Sequence, residues 1–253
     1  MSELTFTADG WRSTLADGVL HLRLANAPVN AINTAMWRRL GEVIANVRDD
    51  AAVRAVAITS DSERLFSAGI DYKELRKDDG GVFLAPGDRR RLVRDTLRAY
   101  YQTPVPVVVG VRGAAYGAGA VLPALADLVV GGPGTRLVMA EIDRGVVGGS
   151  RFLARLVPEP LMRKMMLLGK PIGGEELAKW GCFAEFVDDD QIEATTLDVA
   201  AQLAAKHPVV MRLMKQAHTE VEHMGVMEGY AVEQTYSVVV PNSVRLELVP
   251  GAS

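Results

Sequence analysis

Short apolar, β-branched runs alternate with helix-patterned stretches through the first half of this chain, and that alternation is the pattern of an α/β domain. The strand candidates are Val19–Leu24, Val53–Ser60, Val105–Val111 and Leu128–Gly131. Between them, Thr34–Arg48 and Arg89–Tyr101 carry apolar residues three and four apart, which puts one apolar face along a helix. Asn33 stands where its side-chain oxygen can cap the first of these helices. After about Gly148 the pattern turns helical, in Phe152–Leu156, Leu161–Leu168, Glu175–Trp180, Ile192–Lys206 and Val209–Met224. His207-Pro208 separates the last two, because proline lacks the N–H that a helix interior needs. The expected architecture is a β-rich, alternating N-terminal two-thirds followed by a mostly helical tail. Methionines of that tail, such as Met162, Met165, Met211 and Met214, recur at helical spacings and are expected in packing or subunit contacts.

The 253 residues are 49% hydrophobic and 23% charged, enough apolar surface for a substantial core. No linker-like segment divides them. The formal net charge of −3 offers no basic stripe for nucleic acid. The nearest candidate, Arg89-Arg90-Arg91 followed by Arg94 and Arg98, has helical spacing and reads as a solvated helix face. Cys182 is the only cysteine, so neither an intrachain disulfide nor a cysteine-rich zinc site is available, and a reduced, cytoplasmic setting is expected. Met1 to Asp17 lacks the basic-then-apolar order of a secretory signal. The longest uncharged stretch, Gly113 to Ala126, is too short and too rich in glycine for a membrane span of ~20 apolar residues.

Two loops of small residues each follow a strand and precede a helix-like stretch. The first is Leu65-Phe66-Ser67-Ala68-Gly69-Ile70-Asp71, the second Gly113-Ala114-Ala115-Tyr116-Gly117-Ala118-Gly119-Ala120. Small residues let a ligand approach backbone N–H groups closely, and a helix start adds unpaired donors at a positive dipole end. Two such donors aimed at one point form an oxyanion hole. Two ordinary turns, or a dinucleotide-binding turn, would use similar residues. The second of these lacks support, because Leu122 occupies the third glycine position, where bulk spoils helix–strand packing.

The order Pro28-Val29-Asn30-Ala31-Ile32, Phe66 to Asp71, Gly113 to Asp127, then Glu141 resembles the crotonase (enoyl-CoA hydratase/isomerase) family from about Val19 to Pro158, and more loosely beyond. The resemblance implies an α/β fold, a crotonase-like spiral of repeated ββα units over residues 1–190, and a helical C-terminal oligomerisation region over 191–253. It implies homotrimers or dimers of trimers and an acyl-CoA substrate, with no separate cofactor, metal, nucleic acid or membrane. Matched residue by residue, it puts oxyanion donors at the backbone N–H of Ile70 and Ala118. It puts the CoA moiety beside Asn30, Ala31, Ala68, Asp71 and Lys73, although Asp71 is expected chiefly to cap the next helix and Lys73 reads equally well as a surface lysine.

Hydratases of this family carry two glutamates; here Val121 stands at the first position and Glu141 at the second. Valine can neither activate water nor move a proton. A lone Glu141 can still shuttle a proton between two carbons, the isomerase-type shift that the resemblance favours. Hydrolysis of a C–C bond in a cyclic β-keto acyl-CoA, single-glutamate hydration, and non-catalytic acyl-CoA binding stay open. Glu141 to Gly145, Arg155 to Pro158, Leu161 to Arg163 and Glu233-Gln234 are similar to an actinobacterial subgroup containing steroid ring-opening CoA hydrolases. Asn242–Ser253 is expected to replace the family's terminal helix, and residues 76–89 to form a pocket wall. Tyr72, Tyr116, Asp143, Arg144 and Gly149 are secondary pocket candidates. His21, His207, His218 and His223 are too scattered for a metal site, and Gly148-Gly149-Ser150 is not a nucleophile elbow.

Overall fold

The computed structural model describes residues 5–74 and 87–248. The chain opens with β1 (Thr7–Ala8), β2 (Trp11–Ala16), β3 (Val19–Leu24) and β4 (Ala31–Ile32), then α1 (Thr34–Asp49). Asn33 caps α1 as expected, its side chain accepting the Met36 N–H at 2.9 Å. Next come β5 (Ala55–Ser60), β6 (Leu65–Ser67), β7 (Gly69–Ile70) and α2 (Gly87–Tyr101). A third passage contains β8 (Val107–Val111), β9 (Ala114–Tyr116) and α3 (Ala118–Leu125), and a fourth β10 (Leu128–Gly131), β11 (Arg136–Val138) and a 3-10 turn, Glu141–Arg144.

β1, β2, β3, β5, β8 and β10 are neighbours in one seven-stranded sheet, antiparallel up to β3 and parallel from there on. β6, β9 and β11 lie side by side, parallel, in a second sheet of four strands. Three times, therefore, the chain runs up a strand of the large sheet, crosses to a short strand of the small one, and returns. That repeated step is the spiral expected from the sequence.

The central strands are apolar on both faces because both faces are covered. In β5, Val56 and Ile58 join the main core between the sheets, while Ala55 and Ala57 face the other way. β8 divides similarly, with Val107, Val109 and Val111 on one side and Val108 on the other.

The remainder is α4 (Ser150–Leu153), α5 (Glu159–Leu168), β12 (Ile172–Gly173), α6 (Gly174–Lys179), β13 (Glu185–Phe186) and α7 (Ile192–Ala204). α8 (Pro208–Val221), α9 (Val226–Val238) and α10 (Asn242–Leu248) follow. α7 covers the second face of the large sheet through Ile192, Ala200 and Ala204. Its approach is close enough that a β-carbon on Gly110 would meet Thr196 Oγ1 at 2.2 Å. α10 corrects one expectation: Asn242 to Leu248 is helical, where loss of the family's helix was expected. Of its three apolar residues only Val244 is buried, while Leu246 and Leu248 are exposed, so no apolar stripe announces it. Residues 76–86 of the expected pocket wall lie outside the described residues.

Candidate functional site

β6 and β7 carry the first loop across the top of the small sheet. Ser67 is fully buried, donates its hydroxyl to the Asn30 carbonyl at 2.7 Å and accepts the Gly69 N–H at 3.1 Å. Gly69 has φ +82°, a left-handed conformation that favours glycine. A β-carbon there would lie 2.6 Å from the Tyr116 carbonyl oxygen and 3.4 Å from the Ala118 nitrogen. The two loops thus touch where neither has a side chain in the way. The Asp71 N–H bonds the Ile32 carbonyl at 3.1 Å. Strand alternation then turns the preceding Ile70 N–H toward the opposite edge.

The second loop leaves β9 through Gly117, at φ +48°, whose N–H is held by the Val138 carbonyl at 2.8 Å. Ala118 is the first residue of α3, so its N–H has no acceptor within the helix and sits at the positive dipole end. Gly119 packs against Ser67 so closely that a β-carbon would be 2.7 Å from the serine's own. The rest of α3 is buried, which anchors its first turn. Gly69, Ile70, Gly117 and Ala118 all line one cavity of about 1150 Å³.

Glu141 enters the same cavity from the 3-10 turn after β11. β11 runs beside β9 with Val138 opposite Tyr116, which sets Glu141 against the Gly117 turn. A β-carbon on Gly117 would be 2.7 Å from Glu141 Oε1, so glycine also makes room for this carboxylate. Its other oxygen, Oε2, is buried and has no hydrogen-bond partner. Burial pushes the Glu141 carboxyl up from the usual carboxylate range; a backbone hydrogen bond and the nearby Arg144 oppose that shift. A poorly solvated carboxylate with a free oxygen can take a proton from a bound molecule and give it back.

The structure sorts the other sequence candidates. Ala68, Tyr72, Tyr116 and Arg144 line the cavity, and the Arg144 guanidinium lies 4.7 Å from the centre of the Tyr72 ring. Asn30 and Ala31 do not line it. Asn30 is 2% exposed, and its side chain is occupied inside the loop, accepting the Asn26 N–H at 2.8 Å and donating to Ser60 Oγ at 2.7 Å. Ala31 pairs with Gly69 between β4 and β7. Asp71 accepts the Lys73 N–H at 2.9 Å, the bond of a helix cap, and the Lys73 side chain is exposed away from the cavity. Asp143 and Gly149 are likewise absent from the wall; Gly149 precedes α4 with φ +88°. Val121, at 6% exposure, belongs to the main core.

Sequence reasoning missed the wall opposite. Along α2, Arg90, Arg94 and Arg98 recur every fourth residue and edge the cavity, where only a solvated face had been expected. Arg89 also lines the cavity but is buried, paired with Glu74 at 2.9 Å. The end of α2 meets α4 and the end of α8: Arg155 Nε donates to Glu222 at 2.9 Å, and the Tyr101 hydroxyl donates to Glu222 at 2.8 Å. Burial and the bonded Glu222 carboxylate push the Tyr101 hydroxyl up to about 12. The only signal for this wall was the four-residue arginine spacing, which says nothing of where the face points.

Among the described residues no group of three or more His, Cys, Asp or Glu could hold a metal ion, and no helix is long and apolar enough to cross a membrane.

A family model described as enoyl-CoA hydratase/isomerase matches residues 14–244. Among similar proteins, a (7aS)-7a-methyl-1,5-dioxo-2,3,5,6,7,7a-hexahydro-1H-indene-carboxyl-CoA hydrolase of Rhodococcus jostii (strain RHA1) is 32% identical, over 92% of this chain and 87% of the relative. The protein of the same name from Mycobacterium tuberculosis is 31% identical, over 89% and 90%. A carnitinyl-CoA dehydratase of Citrobacter koseri is 28% identical, over 84% and 81%. An enoyl-CoA hydratase structure from Mycobacterium smegmatis superposes with a TM-score of 0.83 at 23% identity, covering 94% of this chain and 95% of that one. At that identity the superposition speaks for the fold alone.

Proposed function

This chain belongs to the enoyl-CoA hydratase/isomerase family and is an acyl-CoA enzyme, and from that premise we propose that it hydrolyses a C–C bond of a cyclic β-keto acyl-CoA with Glu141 as its single acid/base. The observation that carries the reading is the buried, unpartnered Oε2 of Glu141 beside the Gly117–Ala118 turn. The other carboxylate on the described cavity wall, Glu222, is held by Arg155 and Tyr101.

In this mechanism the thioester oxygen accepts the N–H groups of Ile70 and Ala118. Glu141 takes a proton from water as the water oxygen bonds to the β-keto carbon. The bond from that carbon to the α-carbon then breaks, and its electron pair enters the thioester enolate held by the two N–H groups. Glu141 returns its proton to the α-carbon, leaving a ring-opened carboxylic acid that ionises to solvent. One carboxylate is enough, because the proton it takes is the proton it gives back. Preorganised donors at the enolate oxygen are each worth about 3–4 kcal/mol of barrier.

The hydrolase names of the relatives at 31–32% identity support this reaction over others. The proton shift of an isomerase is the second reading, supported by the same lone carboxylate. Mass spectrometry separates them: cleavage adds one water to the mass of the acyl-CoA, whereas isomerisation leaves it unchanged. A panel of cyclic β-keto and unsaturated acyl-CoAs yielding only isobaric products would overturn the hydrolase reading.

The reading includes self-association into a trimer or dimer of trimers. Large apolar residues exposed on α9, including Val226, Met227, Tyr230 and Val238, support it. Sedimentation at micromolar concentration is expected to give a trimer or hexamer; a clean monomer would count against it.

A further inference from the structure

The cavity is large, open and unevenly charged. Seven arginines but only two glutamates contribute to its described wall. Three of those arginines are paired with carboxylates, Arg89 with Glu74, Arg94 with Asp95 and Arg155 with Glu222. Arg98 and Arg151 have no carboxylate within ion-pair distance among the described residues. Both are gathered at the end of the cavity built from the last turn of α2, α4 and the chain just after α8. The Arg98 carbonyl accepts the Gln102 N–H at 2.9 Å, so Arg98 lies one turn from Tyr101. Tyr101 in turn carries the Arg155 guanidinium 4.9 Å from its ring centre.

Arg151 has a nitrogen 3.1 Å from His223 Nδ1. A guanidinium can only donate, so Nδ1 is the acceptor and the imidazole's remaining proton is on Nε2. His223 therefore brings no negative charge to offset Arg151. Arg155, fixed by Glu222 and by the Ala124 carbonyl at 2.9 Å, braces the site without adding net charge. The result is a pocket end with fixed scaffolding, donors and uncompensated positive charge, on a cavity whose other features serve a thioester.

We propose that this end of the cavity is a carboxylate-binding subsite, formed by Arg98 and Arg151, for an acyl group that carries a second carboxylate of its own. The inference rests on the acyl-CoA reading and names the substrate class within it. Guanidinium groups suit a carboxylate because they donate in a planar fork, and charge-assisted bonds of this kind are stronger than neutral ones. The substrate is accordingly a CoA monothioester of a dicarboxylic acid, with the free carboxylate remote from the thioester carbonyl.

The test uses unreactive CoA thioethers, S-(ω-carboxyalkyl)-CoA and S-alkyl-CoA of matched lengths, titrated calorimetrically into the full-length protein. The two series share every CoA phosphate, so their affinity ratio isolates the added carboxylate. At the best length the carboxylated ligand is expected to bind about 10-fold tighter, and raising salt should erode the difference. In Arg98→Met/Arg151→Met the ratio should fall to near one, with each single variant intermediate. Equal binding of the two series at every length overturns the subsite, as does a ratio that survives in the double variant. An equal loss of both ligands in that variant also overturns it, by assigning the arginines to the CoA phosphates. Failure of the wild type to bind either series would instead bring down the acyl-CoA reading beneath it.

Discussion

Glu141→Gln is expected to lower turnover ~10²–10⁴-fold while CoA-thioester affinity stays nearly unchanged. The amide keeps the shape of the carboxylate, so the close fit against Gly117 is preserved. It cannot take and return a proton near neutral pH. The two N–H groups that would hold the thioester oxygen belong to the backbone of Ile70 and Ala118, and substitution at 141 leaves both in place. Wild-type activity should also have an acidic limb displaced above the normal glutamate range, because burial raises the carboxyl's pKa and the active base is the ionised form. That limb should vanish from the residual activity of the variant. Turnover of the best panel substrate, measured across pH for both proteins, decides the matter. Near-full activity in Glu141→Gln would move the search to Tyr116, which lines the cavity, rather than to Asp143, which does not.

Lys215→Met should produce the largest loss of stability, about 3 kcal/mol, with the melting temperature falling by roughly 6–12 °C. Lys215 is 6% exposed, donates to the Val105 carbonyl at 2.9 Å and is ion-paired with Asp127. Burial lowers its pKa, while the Asp127 charge acts to hold the proton on. Methionine fills similar space but leaves Asp127 without its cation and the Val105 carbonyl without this donor. The pair also matters to the site. Asp127 accepts the Val107 N–H at 2.7 Å and so ties the chain after α3 back to the start of β8. That tie braces the strand–helix unit whose helix begins at Ala118. Adding Asp127→Asn should recover part of the loss, since removing both charges spares the orphaned one. Urea unfolding midpoints with an unchanged slope provide the readout. A shift of Lys215→Met equivalent to less than about 1 kcal/mol would show that the pair is not the anchor described.

The sequence carried the large sheet and the heart of the site because both depend on local pattern. Continuous apolar runs such as Val107–Val111 occur where strands are covered on both faces, and β5 and β8 are so covered. Asn33 has a cap's chemistry and position, and it caps α1. The glycines at 69 and 117 stand where the backbone takes positive φ and where a side chain would strike Tyr116 or Glu141. The small sheet was less legible. Strands of three residues, such as β6, β9 and β11, are too short to display a period. α9 was missed because most of its apolar residues are exposed, leaving no buried stripe to betray a helix.

By itself, then, the sequence determined the alternating α/β core, the two glycine-containing loops and the position of Glu141 after them, since each follows from residue type and near neighbours. Only the tertiary structure decided what those loops face. It turned the Arg90, Arg94 and Arg98 edge of α2 toward the cavity, although helical spacing defines a face without giving its direction. It spent the side chain of Asn30 on holding the loop together, where a CoA contact had been expected. It joined Arg155 to Glu222 across 67 positions of chain, and Arg151 to His223 across 72. Such pairs leave no local trace, because their meeting depends on how α8 packs back over α2 and α4.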